Sequence, residues 1–442
     1  MPSTLLKLQP DTSIASASWR AVLPQQVLTW LPLSLFFPVG LMYLGVLLFA
    51  LSLIVSGDYG QKWRRIVASP MLLPILALSA LSILVAMLQE RTQTEFWPGF
   101  WHYQTYLFLL PFLAVGNGVA PAAGQQTWQQ KAQLTFFAGA IYAATLFYLN
   151  VLHVLPDHTL FRSYVVYGGN KSILLGILLA IAAGWMLHAW RWHQDHPFWR
   201  GLALLYVALA LLLLAKTRTA SLLFVLLCTM FVFRNFSLTW RRLIPLLLLL
   251  AALVGGISYV AALPAPSTCI TTDMVNVQHL NPAKILLRRA VCTVHQIRDF
   301  NAGKKIGEDG MRLEIYQITG HIIAEKPWLG HGIANWLSLY QTRAKGMMSE
   351  TMTTPHNDYL LYTTELGVVG LLALLWIWGR QLVVARQMLG TPHEERAMLL
   401  AMLGLAMMLG GMFNAILRDG LFGMAFMILL AIPLAGVTKK NQ

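Results

Sequence analysis

His356 and Asn357 stand directly after Pro355, and Gly367 follows nine residues after Asn357, with Gly370 three further on. Histidine is the side chain best matched to proton transfer near neutral pH, and few other groups in this chain are fit for catalysis. A second useful set consists of cations at the ends of apolar stretches: Arg91, Arg162, Lys171, Lys216, Arg218 and Arg418. Arg312 opens a further run, Arg312-Leu313-Glu314-Ile315-Tyr316. A guanidinium is a planar fork that binds phosphate oxygens bidentately, so arginines in such places suit a phosphate-bearing ligand. The alternative for each cation is a snorkelling side chain beside lipid headgroups, and Arg418 has Asp419 next to it for local pairing. For His356 the alternative is an interfacial imidazole next to an Asn357-Asp358 helix cap.

The elements that must position these groups are membrane helices. The chain has 442 residues, of which 57% are hydrophobic and only 11% charged, and its mean hydropathy is +0.59. Soluble domains carry roughly 25% charged residues, and an apolar stretch near 20 residues long is a candidate span. The expected fold class is therefore an all-α polytopic membrane protein with about twelve transmembrane helices. The apolar runs lie near 23–37, 39–56, 68–88, 104–118, 132–152, 170–190, 200–215, 220–233, 243–263, 357–378, 397–416 and 420–437. Basic short loops at Lys62 to Arg65, Arg191 to Arg200, Arg234 to Arg242, Arg380 to Arg396 and Lys439-Lys440 all fall on one side. By the positive-inside rule that side is cytoplasmic. Both termini are then cytoplasmic, as an even number of spans requires.

This reading divides the chain into spans one to nine over 1–263, a large outer segment over 264–355, and spans ten to twelve over 356–442. Roughly ninety residues of mixed polarity are too many for a passive connector. Ala283 to His295 and Glu314 to Ile323 are expected helices, and the turn residues Pro327-Trp328-Leu329-Gly330-His331-Gly332 end the second one. Arg312 would lie just ahead of that second helix. Pro355 disfavours helical geometry at Thr354, so the tenth span should start at or just after His356. Gly367 and Gly370 read as close helix packing. Arg288 and Arg289 lie on the first amphipathic stretch, where Arg288 is a candidate for substrate binding or both rest on anionic headgroups. An oxidising compartment would permit a disulfide between Cys269 and Cys292, although two buried thiols remain open.

Several function classes drop out. Only 18 acidic residues occur, with no Asp-x-Asp, His-Glu-x-x-His or Cys-x-x-Cys pattern, which argues against a bound catalytic metal. Glycine-rich phosphate loops are absent. The net charge of +14 is spread between spans rather than gathered on one aromatic-studded face, so nucleic acid is not an expected partner. No cleavable signal peptide is expected, and the first span serves as the insertion signal.

Taken in order, these motifs resemble the O-antigen ligase family, within a wider superfamily of bacterial envelope glycosyltransferases. A His-Asn-x9-Gly-x-x-Gly element is met by His356, Asn357, Gly367 and Gly370, and an Arg-x-x-x-Leu element by Arg218 and Leu222. Arg312 with the Pro327–Gly332 turn is a further likeness. The resemblance implies a GT-C-like transferase of the bacterial inner membrane that works without a metal or other cofactor and faces the periplasm. It would move polysaccharide from undecaprenyl diphosphate to a sugar hydroxyl of lipid A–core. On the matched motifs His356, Arg218 and Arg312 would be catalytic and Asn357 would bind substrate; Arg162 and Lys171, on the charge argument alone, and Arg288 are further candidates for substrate binding. The alternatives are an O-antigen polymerase or a protein O-oligosaccharyltransferase using the same donor, or a transporter of a lipid-linked sugar.

Overall fold

A computed structural model describes residues 7–8, 19–89, 96–116, 126–152, 154, 170–189, 196–214, 218–235, 251, 255–256, 258–264, 282–301 and 307–439. Among them the architecture is helical, apart from one short ladder in which Lys7 pairs with Thr438 and Leu8 with Val437. That ladder brings the two ends of the chain to one place. Four helices are long and apolar enough to cross a membrane: Trp128–Asn150, Lys171–Ala189, Asp358–Met388 and Glu394–Phe413. A fifth span is possible if Val39–Val55 and Tyr59–Ala68, bent by 118° at their junction, count as one. Leu72–Leu88, Pro197–Leu212 and Gly420–Leu434 are shorter apolar helices.

Most expected spans coincide with helices, but length separates crossing candidates from shorter pieces. The run near 104–118 is not one helix. It follows the separate helix Phe96–Tyr103 and consists of a 3-10 turn at Thr105–Phe108 and a short helix at Leu109–Leu113. The run near 243–263 lies largely outside the described residues. The helix beginning at Asp358 continues to Met388, ten residues past the expected end.

Apolar composition decides which helices sit at the centre. Gly420–Leu434 is apolar on every side and is buried without interruption from Phe422 to Leu434. A helix with no polar face belongs inside other helices. Val39–Val55 has similar composition, yet Leu44, Leu47, Leu48, Leu51 and Ile54 are exposed. Exposed aliphatic area on that scale is stable against lipid and costly in water.

The basic loops gather at one end of the helices. Arg380 donates to the Pro70 carbonyl, and Arg396 donates to the Pro433 and Ala435 carbonyls at the close of the central helix. Arg234 pairs with Glu394, and the Lys439 N–H donates to the Ala68 carbonyl at 2.7 Å. His356 lies just before the other end of the Asp358–Met388 helix. At 1.5 Å per residue, the stretch from Val368 to Met388 alone spans roughly 30 Å.

A second, smaller core supports the His356 end. Ile315, Ile318 and Ile322 pack with Trp336, Tyr340, Ala344 and Leu361. They join three helices: Gly307–Glu325, Asn335–Arg343 and the first turns of Asp358–Met388. The first of these starts earlier than expected, so Arg312 lies inside it rather than ahead of it. Pro282–Asn301 forms the expected amphipathic helix and packs against Gly307–Glu325. Cys292 on that helix is disulfide-bonded, Cys228 is free, and Cys269 lies outside the described residues.

Candidate active site

His356 takes a left-handed backbone conformation with φ of 48°. For a residue with a Cβ this costs about 1–2 kcal/mol, so the surroundings must hold it. The His356 N–H donates to Thr354 Oγ1 at 3.0 Å, and its carbonyl accepts from the Tyr316 hydroxyl at 3.4 Å. Asn357 then caps the helix: its Oδ1 accepts from the Leu360 N–H at 3.0 Å, and its Nδ2 donates to the Met412 carbonyl at 2.9 Å. Asp358 follows as a buried residue, with Oδ2 accepting from the Leu417 N–H at 3.2 Å. The cap therefore has a structural duty, and the same bonds aim the preceding imidazole.

Among the described residues, no side chain hydrogen-bonds that imidazole. Burial, then the charges of Arg312 and Arg418, lower its pKa to about 4. At neutral pH the ring is uncharged and can accept a proton. Arg418 reaches this loop by donating to the Thr353 carbonyl. Asp419, the neighbour expected to pair with it, accepts from the Leu421 N–H at 2.8 Å and starts the last helix.

Asp309 links the two other arginines. It forms an ion pair with Arg218 at 2.7 Å, and its own N–H donates to Gln296 Oε1 at 3.1 Å. Burial pushes the Asp309 carboxyl up. Bonds from Arg218 and Thr293, with the charges of Arg218 and Arg312, outweigh that and hold it below the ordinary value. Arg312 also acts on Tyr316, which bonds the Asn357 side chain. Arg218 is thus paired with Asp309, and the charge of Arg312 acts on Asp309, Tyr316 and His356, residues far apart in sequence.

Three other candidates remain. Lys171 donates to the Phe37 carbonyl at 3.2 Å, a partner that contributes nothing to the His356 group. Arg288 is partly buried on the helix packed against the one carrying Arg312. Arg162 lies outside the described residues.

Gly367 corrects the sequence reading. It breaks the Asp358–Met388 helix with φ of 71° and ψ of −174°, rather than serving as a flat packing surface. The break frees backbone groups that must find partners. The Pro327–Gly332 turn supplies them. The His331 and Gly332 N–H groups donate to the Thr364 and Glu365 carbonyls at 2.8 and 3.0 Å. In return, the Val368 and Val369 N–H groups donate to the Pro327 and Trp328 carbonyls at 2.7 and 3.4 Å. Turn and broken helix complete each other, as the right-handed spacing of neither element could alone.

Two residues before the break stands Glu365, which sequence reasoning passed over. Its buried carboxylate accepts from the Tyr103 hydroxyl at 2.7 Å and from the Ala334 and Trp336 N–H groups at 2.9 and 3.4 Å. The signal was present, because an ionised residue inside an apolar run is costly to desolvate and marks a candidate site by default. Glu365 and Arg418 line one cleft together with His102, Trp336, Leu337 and Gly99.

A multi-pass helical membrane protein is the class that the fold defines. Residues 202–375 match a family model described as O-antigen ligase. The matched stretch contains Arg218, Arg312, the Pro327–Gly332 turn, His356 and Gly367. No curated protein matches the chain.

Proposed function

We propose that this protein is an O-antigen ligase of the bacterial inner membrane, with both termini cytoplasmic and the His356 end facing the periplasm. It transfers polysaccharide from undecaprenyl diphosphate to a sugar hydroxyl of lipid A–core. The observation that supports the reading is that the charge of Arg312 acts both on His356 and on Asp309, the ion-pair partner of Arg218, inside a segment matched by the ligase family model.

In the proposed reaction the acceptor hydroxyl gives its proton to His356 while its oxygen attacks the anomeric carbon of the donor. A new C–O bond forms, and the bond from that carbon to the diphosphate oxygen breaks. Undecaprenyl diphosphate leaves with the electron pair, and direct displacement inverts the anomeric centre. Arg218 and Arg312 stabilise the charge growing on the diphosphate, a task that preorganised cations perform best in a site shielded from water. Arg162, Lys171 and Arg288 are proposed to hold other parts of the substrates. Asn357 acts by positioning His356.

Removing a general base costs typically 10²–10⁴-fold in rate, and removing one charge-stabilising donor costs about as much. His356→Ala and Arg218→Ala should each lose most transfer activity with purified lipid-linked donor and lipid A–core, while still inserting into the membrane. Near wild-type transfer by either variant removes its assigned role. EDTA should leave the rate unchanged, and a loss restored by Mg²⁺ would sink the metal-free mechanism. Lengthening of lipid-linked glycan in the absence of lipid A–core would identify a polymerase instead.

A further inference from the structure

The Tyr59–Ala68 helix leaves the preceding helix, Val39–Val55, at 118°. The bend is built into the chain. Gly57 and Asp58 both take left-handed φ, 66° and 49°, and the Tyr59 hydroxyl donates to the Ile54 carbonyl across it at 2.7 Å. Lys62 Nζ reaches back as well, to the Leu53 carbonyl and, at 2.7 Å, to Ser56 Oγ. A helix of 10 residues covers about 15 Å, half of what a bilayer crossing needs. It is too short to span alone, and turned past perpendicular it cannot prolong Val39–Val55.

One side of this helix is uncovered. Tyr59, Trp63 and Val67 recur every fourth residue, share a face and are 61%, 65% and 47% exposed. A neighbouring face holds the helix to the protein: Ile66 packs against the main core, and Arg65 donates to the Ala114 carbonyl at 3.2 Å. Gln61 and Arg64 lie on the remaining side, and both are exposed. No acidic residue occurs from Tyr59 to Ala68. Two further basic residues meet the end of the helix, where Lys439 and Arg380 donate to the Ala68 and Pro70 carbonyls. Ile54, itself exposed, joins the stripe to the uncovered aliphatic side of Val39–Val55 through its bond with Tyr59.

Trp and Tyr have an apolar body and a polar tip, which suits the level where acyl chains meet headgroups, and a guanidinium binds phosphate oxygens. We propose that Tyr59–Ala68 lies in the membrane interface at the end of the helices away from His356. The Tyr59, Trp63 and Val67 stripe is set among acyl chains, and Arg64 rests on the phosphates of anionic phospholipids. Short length, a sharp bend and a basic polar side are the marks of a helix lying on a membrane rather than crossing it. The continuity of the stripe with the aliphatic side of Val39–Val55 selects lipid over a soluble partner, because the same surface runs on along a helix that faces the bilayer.

The test uses the full-length protein in lipid nanodiscs, with single nitroxide labels introduced through Trp63→Cys, Val67→Cys or Gln61→Cys. Each is made in a Cys228→Ala background, since Cys228 is free and Cys292 is disulfide-bonded. Oxygen partitions into acyl chains and a nickel chelate stays in water, so their relative effects on label relaxation report immersion. The labels replacing Trp63 and Val67 should respond mainly to oxygen, and the label replacing Gln61 mainly to nickel. Equal nickel response at all three would place the stripe in water. Shielding from nickel at all three would bury the helix as half of a span, and shielding of the Trp63 site from both reagents would mean a protein partner. Each of these outcomes overturns the proposal. The headgroup contact is read from thermal unfolding in phosphatidylcholine discs with and without added phosphatidylglycerol. A cation near an anionic surface is worth about a fivefold change in association. Phosphatidylglycerol should therefore raise the wild-type midpoint, Arg64→Gln should lose part of that rise, and Arg64→Lys should keep it. No rise in the wild type, or a full rise in Arg64→Gln, refutes the contact with anionic lipid.

Discussion

Gly367 lies so close to Trp328 that a Cβ on the glycine would stand 2.0 Å from the Trp328 carbonyl oxygen. The approach is mutual, because a Cβ on Gly330 would stand 2.6 Å from the Glu365 carbonyl carbon and the Gly367 nitrogen. Two stretches of bare backbone therefore meet where the Asp358–Met388 helix is interrupted. The contact fixes three things at once: the position of Glu365, the turn that leads into the Asn335–Arg343 helix, and the direction of the helix that His356 precedes.

Gly367→Ala should therefore be among the most damaging small substitutions in the chain. The new methyl group meets backbone rather than the end of a flexible side chain, and the φ of 71° is itself unfavourable to any residue with a Cβ. The combined cost should exceed about 3 kcal/mol. Gly379 is the control on the same helix, since nothing lies within 4 Å of a Cβ there. Gly379→Ala should be neutral or stabilising by up to about 1 kcal/mol. Thermal unfolding of both variants in detergent checks this, and equal midpoints would refute the backbone clasp.

The helical class and most apolar elements were legible because hydrophobic length and local punctuation depend on neighbours in sequence. The places of His356, Asn357 and Arg218 at helix starts were legible for a similar reason, as polar residues at the ends of apolar runs. The cross-links were not. Asp309 meets Arg218 across 91 positions, and Arg418 meets Thr353 across 65. No short pattern encodes a contact at that separation. Gly367 was visible but misread, because packing glycines and helix-breaking glycines have the same sequence signature until the opposing turn is placed. The run near 104–118 was read as one span because mean hydropathy does not register the helix ends that break it into pieces.

The acid limb of kcat/KM should fall near pH 4 rather than near the ordinary histidine value of about 6.5. Burial and the cations Arg312 and Arg418 disfavour imidazolium, so His356 becomes protonated only in strongly acidic solution. Below that pH the base is lost and the rate falls. Arg312→Gln removes one disfavouring charge, so the acid limb should move up toward neutrality even though the maximal rate drops. Arg418→Gln should move it in the same direction. The measurement is the full pH–rate profile for each variant, and an acid limb that stays fixed in both would rule out the electrostatic origin.

Glu314 should matter to stability although it sits outside the reacting group. Its buried Oε2 accepts from Ser349 Oγ at 2.6 Å and from the Ser349 N–H at 3.2 Å. Tyr340 extends the chain by donating to Ser349 Oγ at 2.6 Å. These bonds tie the helix that carries Arg312 to the loop that leads to His356. Hydrogen bonds to a charged group contribute about 1.5–3 kcal/mol, against about 1 kcal/mol for neutral ones. Glu314→Ala leaves two Ser349 donors without their acceptor and should cost about 3 kcal/mol. Tyr340→Phe, which removes a neutral hydroxyl shared between Ser349 Oγ and the Ser349 carbonyl, should cost about 1 kcal/mol. Because the loop loses its anchor, Glu314→Ala should also lower kcat below the unfolding temperature, and Tyr340→Phe should not. If thermal unfolding ranks Tyr340→Phe as the more damaging of the two, the carboxylate is not what holds the loop.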